Sequence, residues 1–256
     1  MDVTPIPCLK DNFAYLIRKA GSDAALVVDP SEAEPVVRAL TGARLRLTGI
    51  LNTHHHFDHV GGNEELVRRY GKLPVYGHVS DRGRIPEQTE FLEHGAEFSA
   101  SGIAFRVLHI PGHTLGAIAY IAEGCVFTGD TLFAAGCGRL FEGTPAMMYE
   151  SLNVKLAALP EDTRVFFGHE YTESNLKFAA HVEPSNAAVS ERAGRVAELR
   201  KSGQWTTPST LGEEKATNPF MRCESEEIRR NMASRLSGES DPATVLGAVR
   251  AAKDSF

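Results

Sequence analysis

The chain contains Thr53-His-His-His-Phe-Asp-His-Val-Gly-Gly62, in which four histidines and one aspartate lie within six residues. Imidazole and carboxylate groups are ligands that zinc, manganese and iron accept. Side chains at positions i and i+2 of an extended segment share a face, so His54 and His56 can reach one ion. Asp58 and His59 follow directly and can reach a second ion if the chain turns at the two closing glycines, since glycine tolerates unusual backbone angles.

The flanks of this stretch predict a strand, a loop and a helix. Leu47 to Asn52 is largely apolar, and Asn63 to Tyr70 has helical spacing. Enzymes of the α/β class present catalytic groups on such loops. A purification tag or a metal-sequestering tract lies at a terminus and lacks an interleaved aspartate, so we interpret the stretch as a metal-binding loop. His55 lies between two candidate ligands, is expected to face away from them, and is assigned a structural role.

The overall composition limits the classes of function. A chain of 256 residues is long enough for one large domain, or one domain with a smaller second one. Its net charge of −6 argues against a broad nucleic-acid surface. We find no secretory signal, no membrane-length apolar run and no paired cysteine motif, so the four cysteines are expected to be buried thiols. The cytoplasm is the default compartment, and we expect a monomer that binds neither nucleic acid nor membrane.

The pattern of elements changes along the chain. The first two-thirds alternates strand-like and helix-like segments, whereas the segments after Tyr171 have only helical periodicity. We therefore expect an α/β catalytic domain over residues 1–170 and a small helical domain over residues 171–256. Within the second domain, Gly203 to Asn218 is expected to be a polar connector between helices.

Three further ligand candidates follow predicted strands. His113, Asp130 and His169 each come directly after a glycine, which suits a sharp exit from a sheet. Alone, each would be read as an ordinary core, surface or turn residue. A pair of metal ions that share a water needs about seven protein ligands, and the first stretch supplies four. The three residues complete that number, and the two oxygens of Asp130 allow it to bridge two ions.

These stretches resemble the metallo-β-lactamase superfamily, and several of them resemble its glyoxalase II (hydroxyacylglutathione hydrolase) branch. The similarity extends over essentially the whole chain and includes these ranges: 53–62, 127–139, 168–172, 175–179, 181–184, 216–222 and 248–254. The resemblance implies an αββα sandwich with metals at one edge and a small helical C-terminal domain.

The resemblance also implies a ligand set and a reaction. It assigns seven ligands to two ions, as follows: His54, His56 and His113 to the first, Asp58, His59 and His169 to the second, and Asp130 to both. Zinc is the first expectation, with iron or manganese as alternatives. The implied activity is hydrolysis of S-D-lactoylglutathione and related 2-hydroxyacylglutathiones by a hydroxide shared between the ions, which Asp58 and Asp130 assist. It is the second step of methylglyoxal detoxification.

The substrate contacts that the resemblance implies are Arg139, Tyr171, Arg250 and Lys253. The last two are spaced i and i+3, which places both on one helix face. Without the resemblance they would be read as a solvated helix end. At Phe141 some relatives carry tyrosine, and phenylalanine cannot supply that hydroxyl to the glutathione backbone.

Other readings of the same residues remain open. A lactonase or β-lactamase would share the scaffold, although the helical tail favours a glutathione thioester. An iron oxidoreductase such as a persulfide dioxygenase would need only part of this ligand set, and a flavodiiron site would carry glutamate in place of a loop histidine such as His56. A closed structural metal site does not require seven ligands. Cys137 is an alternative nucleophile, but a metal-activated water makes it unnecessary.

Overall fold

The computed structural model describes residues 1–238 and 240–256. The chain divides into two compact units. The first unit comprises Met1–His109 and Gly116–Gly129, and the second comprises Ile110–Leu115 and Asp130–Phe256. Among the described residues, no helix has the length and apolar character needed to cross a membrane.

The first unit contains ten strands and three α-helices in its described residues. The strands are β1 (Asp2–Cys8), β2 (Asn12–Arg18), β3 (Ala24–Val28), β4 (Arg46–Leu51), β5 (Val75–His78), β6 (Glu90–Leu92), β7 (Glu97–Ala100), β8 (Ile103–His109), β9 (Ile118–Ala122) and β10 (Cys125–Gly129). The helices are α1 (Ala33–Ala43), α2 (Phe57–Val60) and α3 (Asn63–Tyr70). The elements predicted on either side of the histidine-rich stretch are confirmed as β4 and α3.

The strands β1 to β6 form one sheet in chain order. Its first three strands pair antiparallel, and β3 to β6 pair parallel. Neighbouring parallel strands end at the same edge, so the residues after β3 and β4 meet there, and the Asp29 amide donates to the Leu51 carbonyl at 3.0 Å. The patterns did not predict β1. It contains Pro5 and Pro7, which a strand tolerates at a sheet edge because proline has no amide to donate.

Helix α1 covers one face of this sheet. Its buried residues include Val36, Val37 and Leu40, which recur at helical spacing and pack in one apolar cluster with residues of β3 and β4 such as Val27 and Ile50. The remaining strands of the unit, β7 to β10, form antiparallel neighbours in the order β10-β9-β8-β7. The resulting core fixes the strand ends from which the histidine-rich stretch departs.

The second unit contains four short strands and six α-helices in its described residues. They are β11 (Leu132–Phe133), β12 (Gly136–Cys137), α4 (Pro145–Tyr149), β13 (Arg164–Phe167), α5 (Thr172–Val182), α6 (Ala187–Lys201), β14 (Ser209–Thr210), α7 (Leu211–Thr217), α8 (Glu226–Asn231) and α9 (Pro242–Asp254). Helix α4 begins with Pro145, and the Thr144 hydroxyl caps it by accepting from the Met147 amide. Helices α5 and α6 pack through Leu176, Ala179, Val189 and Val196.

The predicted polar connector over Gly203–Asn218 is wrong, since it contains β14 and α7. The Thr210 hydroxyl caps α7 by accepting from the Glu213 amide. Glu214 is fully buried against Arg192, so part of this segment's interior is charged. An apolar periodicity search cannot detect a helix that buries an ion pair. The four cysteines are buried and free, as predicted.

Candidate metal centre

The histidine-rich stretch, residues 53–62, is called the histidine loop below. Its extended part brings the rings of His54 and His56 to a centroid separation of 4.8 Å. The chain then turns into α2, which begins at Phe57 and places the His59 ring 4.2 Å from that of His54. His54 and His59 are buried, whereas Asp58 is half-buried. The loop thus gathers its candidate ligands within the first unit.

The two glycines of this loop are required for a different reason from the predicted one. Neither Gly61 nor Gly62 has a positive φ, so the turn uses ordinary helical angles. Instead, a Cβ atom on Gly61 would lie 2.7 Å from the Ser31 carbonyl oxygen, and one on Gly62 would lie 2.8 Å from the Pro30 carbonyl oxygen. Glycine permits the close approach of the loop to the segment that follows β3.

Asp29 organises the base of the loop, a role that our sequence analysis missed. It accepts hydrogen bonds from the Thr53 amide at 2.7 Å, the Thr53 hydroxyl at 2.6 Å and His59 Nδ1 at 3.0 Å. Because the Thr53 hydroxyl proton is directed at Asp29, the 3.1 Å contact between Thr53 Oγ1 and His54 Nδ1 has the imidazole as donor. Both rings therefore hold a proton on Nδ1 and present the lone pair of Nε2, the arrangement a metal ligand needs.

The only sequence signal for Asp29 was its place at the end of a buried strand, directly before Pro30. It is 2% exposed and adopts a left-handed φ of 47°. Aspartate and asparagine tolerate that backbone region better than most residues. A buried carboxylate at a sheet edge beside histidines is a metal-supporting group that only the strand order makes visible.

Asp58 and His55 have different settings in the same loop. Asn12 donates through Nδ2 to the Asp58 carbonyl oxygen at 3.0 Å and to Asp58 Oδ2 at 3.1 Å, and that oxygen lies 3.9 Å from His59 Nε2. His55 contacts Asp81 Oδ1 through Nδ1 at 3.3 Å and also contacts Arg84. These contacts give His55 a structural environment of the kind expected from its position in the sequence.

The second unit brings together its three candidate ligands. Asp130 Oδ2 lies 3.5 Å from His113 Nε2 and 3.3 Å from His169 Nε2, so one carboxylate oxygen faces two imidazoles. His113 Nδ1 donates to the Arg139 carbonyl oxygen at 2.8 Å, which again leaves the lone pair on Nε2. A Cβ atom on Gly138 would lie 2.1 Å from the Asp130 carbonyl oxygen, so only glycine fits there.

Aromatic rings hold His169 in place. The Tyr171 ring stacks on it with a centroid separation of 4.8 Å and an interplanar angle of 6°, and Phe133 packs edge-on at 5.9 Å. Tyr171 is 37% exposed, so its ring supports the ligand while part of it faces solvent. That placement is compatible with the substrate contact predicted for it.

Two of the other predicted substrate contacts, Arg139 and Arg250, line an open cleft of about 410 Å³ in the second unit. It is lined by Arg139, Leu140, Phe141, Gly247, Arg250, Ala251 and Asp254. Arg139 is exposed, with Nε 3.5 Å from Asp254 Oδ1. Arg250 is 7% exposed and donates to the Cys137 carbonyl oxygen at 2.7 Å and to Asp254 at 3.1 Å. The Arg250 side chain therefore carries structural contacts as well as cationic charge.

Lys253 and Cys137 lie in contrasting environments. Burial, followed by the positive charge of Arg250, lowers the pKa of Lys253, whose ammonium donates to the Ser174 carbonyl oxygen at 3.3 Å. Burial raises the pKa of the Cys137 thiol to about 11, although Arg250 opposes the shift. A thiol with that pKa is scarcely ionised near neutral pH, which argues against Cys137 as the nucleophile.

The donor chemistry of both units fits divalent metal ions. His54, His59 and His113 each have a protein acceptor for the Nδ1 proton, and the carboxylates of Asp58 and Asp130 lie within 4 Å of imidazole nitrogens. Such pairing of a ligand histidine with an outer oxygen orients the ring and raises its basicity. The chain carries histidine and aspartate groups suited to a dinuclear metal site.

The family models define the class of protein. Residues 10–169 match the model described as the metallo-β-lactamase superfamily, and the chain belongs to that superfamily. Residues 170–256 match a second model, described as the hydroxyacylglutathione hydrolase C-terminus. The predicted fold class, a metallo-β-lactamase-type α/β fold with a helical C-terminal domain, is confirmed.

Individual relatives indicate the family within this superfamily. A hydroxyacylglutathione hydrolase of Crocosphaera subtropica is 46% identical, with 100% of both chains covered. With this similarity and the C-terminal match, the chain belongs to the hydroxyacylglutathione hydrolase family. The crystal structure of ETHE1 from Myxococcus xanthus is similar, with a TM-score of 0.68, 27% identity, and coverage of 100% of this chain and 99% of that one. So is that of TTHA1623 in a di-iron-bound form, with a TM-score of 0.59, 29% identity, and coverage of 86% and 100%.

Proposed function

We propose that this chain hydrolyses S-D-lactoylglutathione and related 2-hydroxyacylglutathiones to the 2-hydroxy acid, such as D-lactate, and glutathione. One observation carries the proposal: two family models, one of them specific to hydroxyacylglutathione hydrolases, together match residues 10–256. The superfamily match by itself is compatible with several hydrolytic and oxidative reactions. The C-terminal match supports a glutathione thioester as the substrate.

We propose the following ligands for two divalent ions, with the first three on one ion, the next three on the other and the last bridging: His54, His56, His113, Asp58, His59, His169 and Asp130. The Nδ1 hydrogen bonds of His54, His59 and His113 support this assignment, since they leave Nε2 to coordinate. Zinc is proposed first, and iron or manganese as alternatives that the same ligands accept.

A pair of divalent ions supplies a water whose pKa is lowered towards neutrality, and so a nucleophile for the thioester carbonyl. The protein's own part is orientation. Asp29 and the Arg139 carbonyl oxygen fix the imidazole rings, and Asp58 and Asp130 are proposed to hold the attacking water as hydrogen-bond acceptors. The leaving thiolate resembles cysteine, with a pKa of about 8.5, and departs with little help from an acid. No additional proton donor is therefore required.

Substrate binding is proposed for the segment 171–256, with residues 1–170 as the catalytic domain. Glutathione carries two carboxylates, and the cleft lined by Arg139 and Arg250 supplies positive charge in a chain of net charge −6. Tyr171 and Lys253 are proposed to complete the contacts. We also propose that the protein works as a cytoplasmic monomer with a small-molecule substrate and without nucleic-acid or membrane partners.

The test is turnover of S-D-lactoylglutathione by the metal-loaded protein. Loss of the thioester ultraviolet absorbance and release of glutathione, followed with a thiol reagent, should occur together, and chelator-stripped protein is the control. Absence of turnover in fully loaded protein would end the assignment. The rival reading as an iron oxidoreductase predicts oxygen uptake with glutathione persulfide, measured on the same preparation after metal analysis.

A further inference from the structure

The hairpin formed by β11 and β12, residues 132–137, lies between two groups of the candidate metal centre. Asp130 precedes it, and the Arg139 carbonyl that accepts from His113 follows it. Each strand is only two residues long, and the hairpin is a two-stranded sheet of its own. An isolated hairpin of this size is not stable, and buried backbone groups need partners. We call this segment the ligand hairpin.

Side chains from the helical segment bind the backbone of the ligand hairpin at five consecutive residues. The bonds are Asn218 Nδ2 to the carbonyl oxygens of Phe133 at 3.2 Å and Gly136 at 3.0 Å, Asn175 Nδ2 to that of Ala134 at 3.0 Å, the Ala135 amide to Glu214 Oε2 at 2.7 Å, and Arg250 Nη1 to that of Cys137 at 2.7 Å. These donors and acceptors come from α5, the α7 region and α9. The hairpin is therefore clamped by three separate helical elements.

The side chains that hold the ligand hairpin (Asn175, Glu214, Asn218 and Arg250) are called the clamp. One of them, Glu214, belongs to a buried ion pair. Glu214 is fully buried, and its Oε1 accepts from Arg192 Nη2 at 2.7 Å. Arg192 also donates to Thr217 and Ser209, so both charges have hydrogen-bonded partners. A fully satisfied buried network is rigid, whereas loss of one member leaves an expensive unpaired group. This rigidity acts directly on Ala135, which has a left-handed φ of 54° that its neighbours must hold.

A displacement of the ligand hairpin would disturb the positions of two candidate ligands, His169 and His113. Phe133 packs edge-on against His169 and against Tyr171, at centroid separations of 5.9 Å and 5.5 Å. On the other side, a Cβ atom on Gly138 would lie 2.7 Å from His113 Nδ1, so the backbone there already contacts the ring closely. The ligand hairpin and the residue that follows it thus contact both imidazoles that face Asp130.

We propose that Asn175, Glu214, Asn218 and Arg250 are positioning residues that hold the ligand hairpin, and through it the geometry of the metal ligands in the second unit. The helical segment then supports metal retention in addition to binding substrate. This inference rests on the proposed ligand roles of His113, Asp130 and His169. Metal release is measured without substrate. The experiment would therefore still test the positioning role if the protein did not hydrolyse glutathione thioesters.

The experiment compares Asn218→Asp and Glu214→Gln with Glu198→Gln. The first two keep side-chain size but remove a donor pair or a buried charge from the network that holds the hairpin, whereas Glu198 is exposed on α6 and pairs with Lys201. Each metal-loaded protein is mixed with a chromophoric chelator, and metal transfer is followed at a temperature where circular dichroism shows every variant folded. We expect release about tenfold faster from the two clamp variants, the lower end of the range for supporting residues.

The control should release metal at the wild-type rate. Equal rates for the two hairpin-contact variants and wild type would overturn the proposal, and so would equal acceleration in Glu198→Gln, because the effect would then not depend on the hairpin. If these variants do not fold, Asn175→Ser tests the same hairpin by removing the separate hydrogen bond to the Ala134 carbonyl oxygen. In that variant too, an unchanged release rate would contradict the proposed role.

Discussion

The histidine loop and the set formed by His113, Asp130 and His169, called the scattered set, reach similar chemistry by different routes. The loop carries its ligands on one short segment and fixes them through one buried carboxylate, Asp29. The scattered set comes from three separate segments that meet around Asp130 Oδ2. Its support includes the ligand hairpin, whose backbone is held by side chains from sequence-distant helices.

This difference shows that the two groups of candidate ligands are held in position by different kinds of contact. A ligand cluster on one loop needs only a local anchor, because the backbone already limits the separation of its side chains. Ligands that come from separate segments need long-range support, and here part of that support is polar and buried. We therefore expect substitutions in the two regions to differ in which additional part of the molecule they disturb.

The largest effect is expected for Asp130→Ala. This change removes the oxygen that faces both His113 and His169, so the scattered set loses its common partner. We expect kcat/KM to fall by more than about 100-fold, beyond the range typical of supporting residues, with a loss of bound metal. Steady-state thioester assays and elemental analysis measure both. Asp162→Ala, at an exposed position, is the control, and full metal content with full activity in Asp130→Ala would refute the bridging role.

The anchor of the histidine loop is tested by Asp29→Asn. Asparagine tolerates the left-handed backbone at this position, so the change mainly removes charge and acceptor capacity opposite Thr53 and His59. Metal affinity should fall by about 10–100-fold in chelator competition. Asp23→Asn, an exposed change on the same unit, should bind as wild type does. If the two variants bind metal equally well, the loop does not depend on its local anchor.

Substitutions of Lys253 and Arg250 should distinguish substrate binding from structural support of the helical segment. Lys253→Ala is expected to raise KM about tenfold, equal to roughly 1.4 kcal/mol, with little change in kcat. Arg250→Ala should raise KM and also lower the free energy of unfolding by about 1–3 kcal/mol, because its buried guanidinium binds the Cys137 carbonyl oxygen. Kinetics and denaturant unfolding measure the two effects, with the exposed Lys201→Ala as control. An unchanged KM in both variants would exclude the tail from the substrate site.

The smallest expected effect is a pH dependence within the helical segment. Burial raises the pKa of Glu183, but hydrogen bonds from Arg222, Ser225 and Asn186 outweigh it, so the pKa lies below the usual 4.5. Its stabilising contribution is therefore present above pH 4.5 and is lost as pH falls through the lowered value. Metal-free wild type and Glu183→Gln should differ in unfolding free energy by a constant amount above pH 4.5, and the gap should shrink below it. A gap that does not change with pH would assign the contribution to packing.

Much of the fold could be predicted from local patterns. Strand β4 was found because it buries a run of apolar side chains, and α3 was found from the helical spacing of its apolar residues, of which Leu66 is buried. Helix α7 was missed because its interior face holds Glu214, whose burial makes sense only with Arg192 opposite. Likewise β1 was missed because its prolines are tolerated only at a sheet edge. In both cases the missing information was tertiary: the ion-pair partner of α7 in one and the edge position of β1 in its sheet in the other.

The sequence alone determined which groups are available for metal chemistry, since residue type and short-range spacing define the histidine loop and the glycines before His113, Asp130 and His169. Only the tertiary structure decided how those groups are oriented and which nitrogen of each imidazole is left to bind a metal. Strand order brings Asp29 under the loop, and the helical side chains bind the hairpin that follows Asp130. The physical reason is that ligand identity is a local chemical property. Proton position, ring orientation and backbone support depend instead on hydrogen bonds between residues distant in the chain.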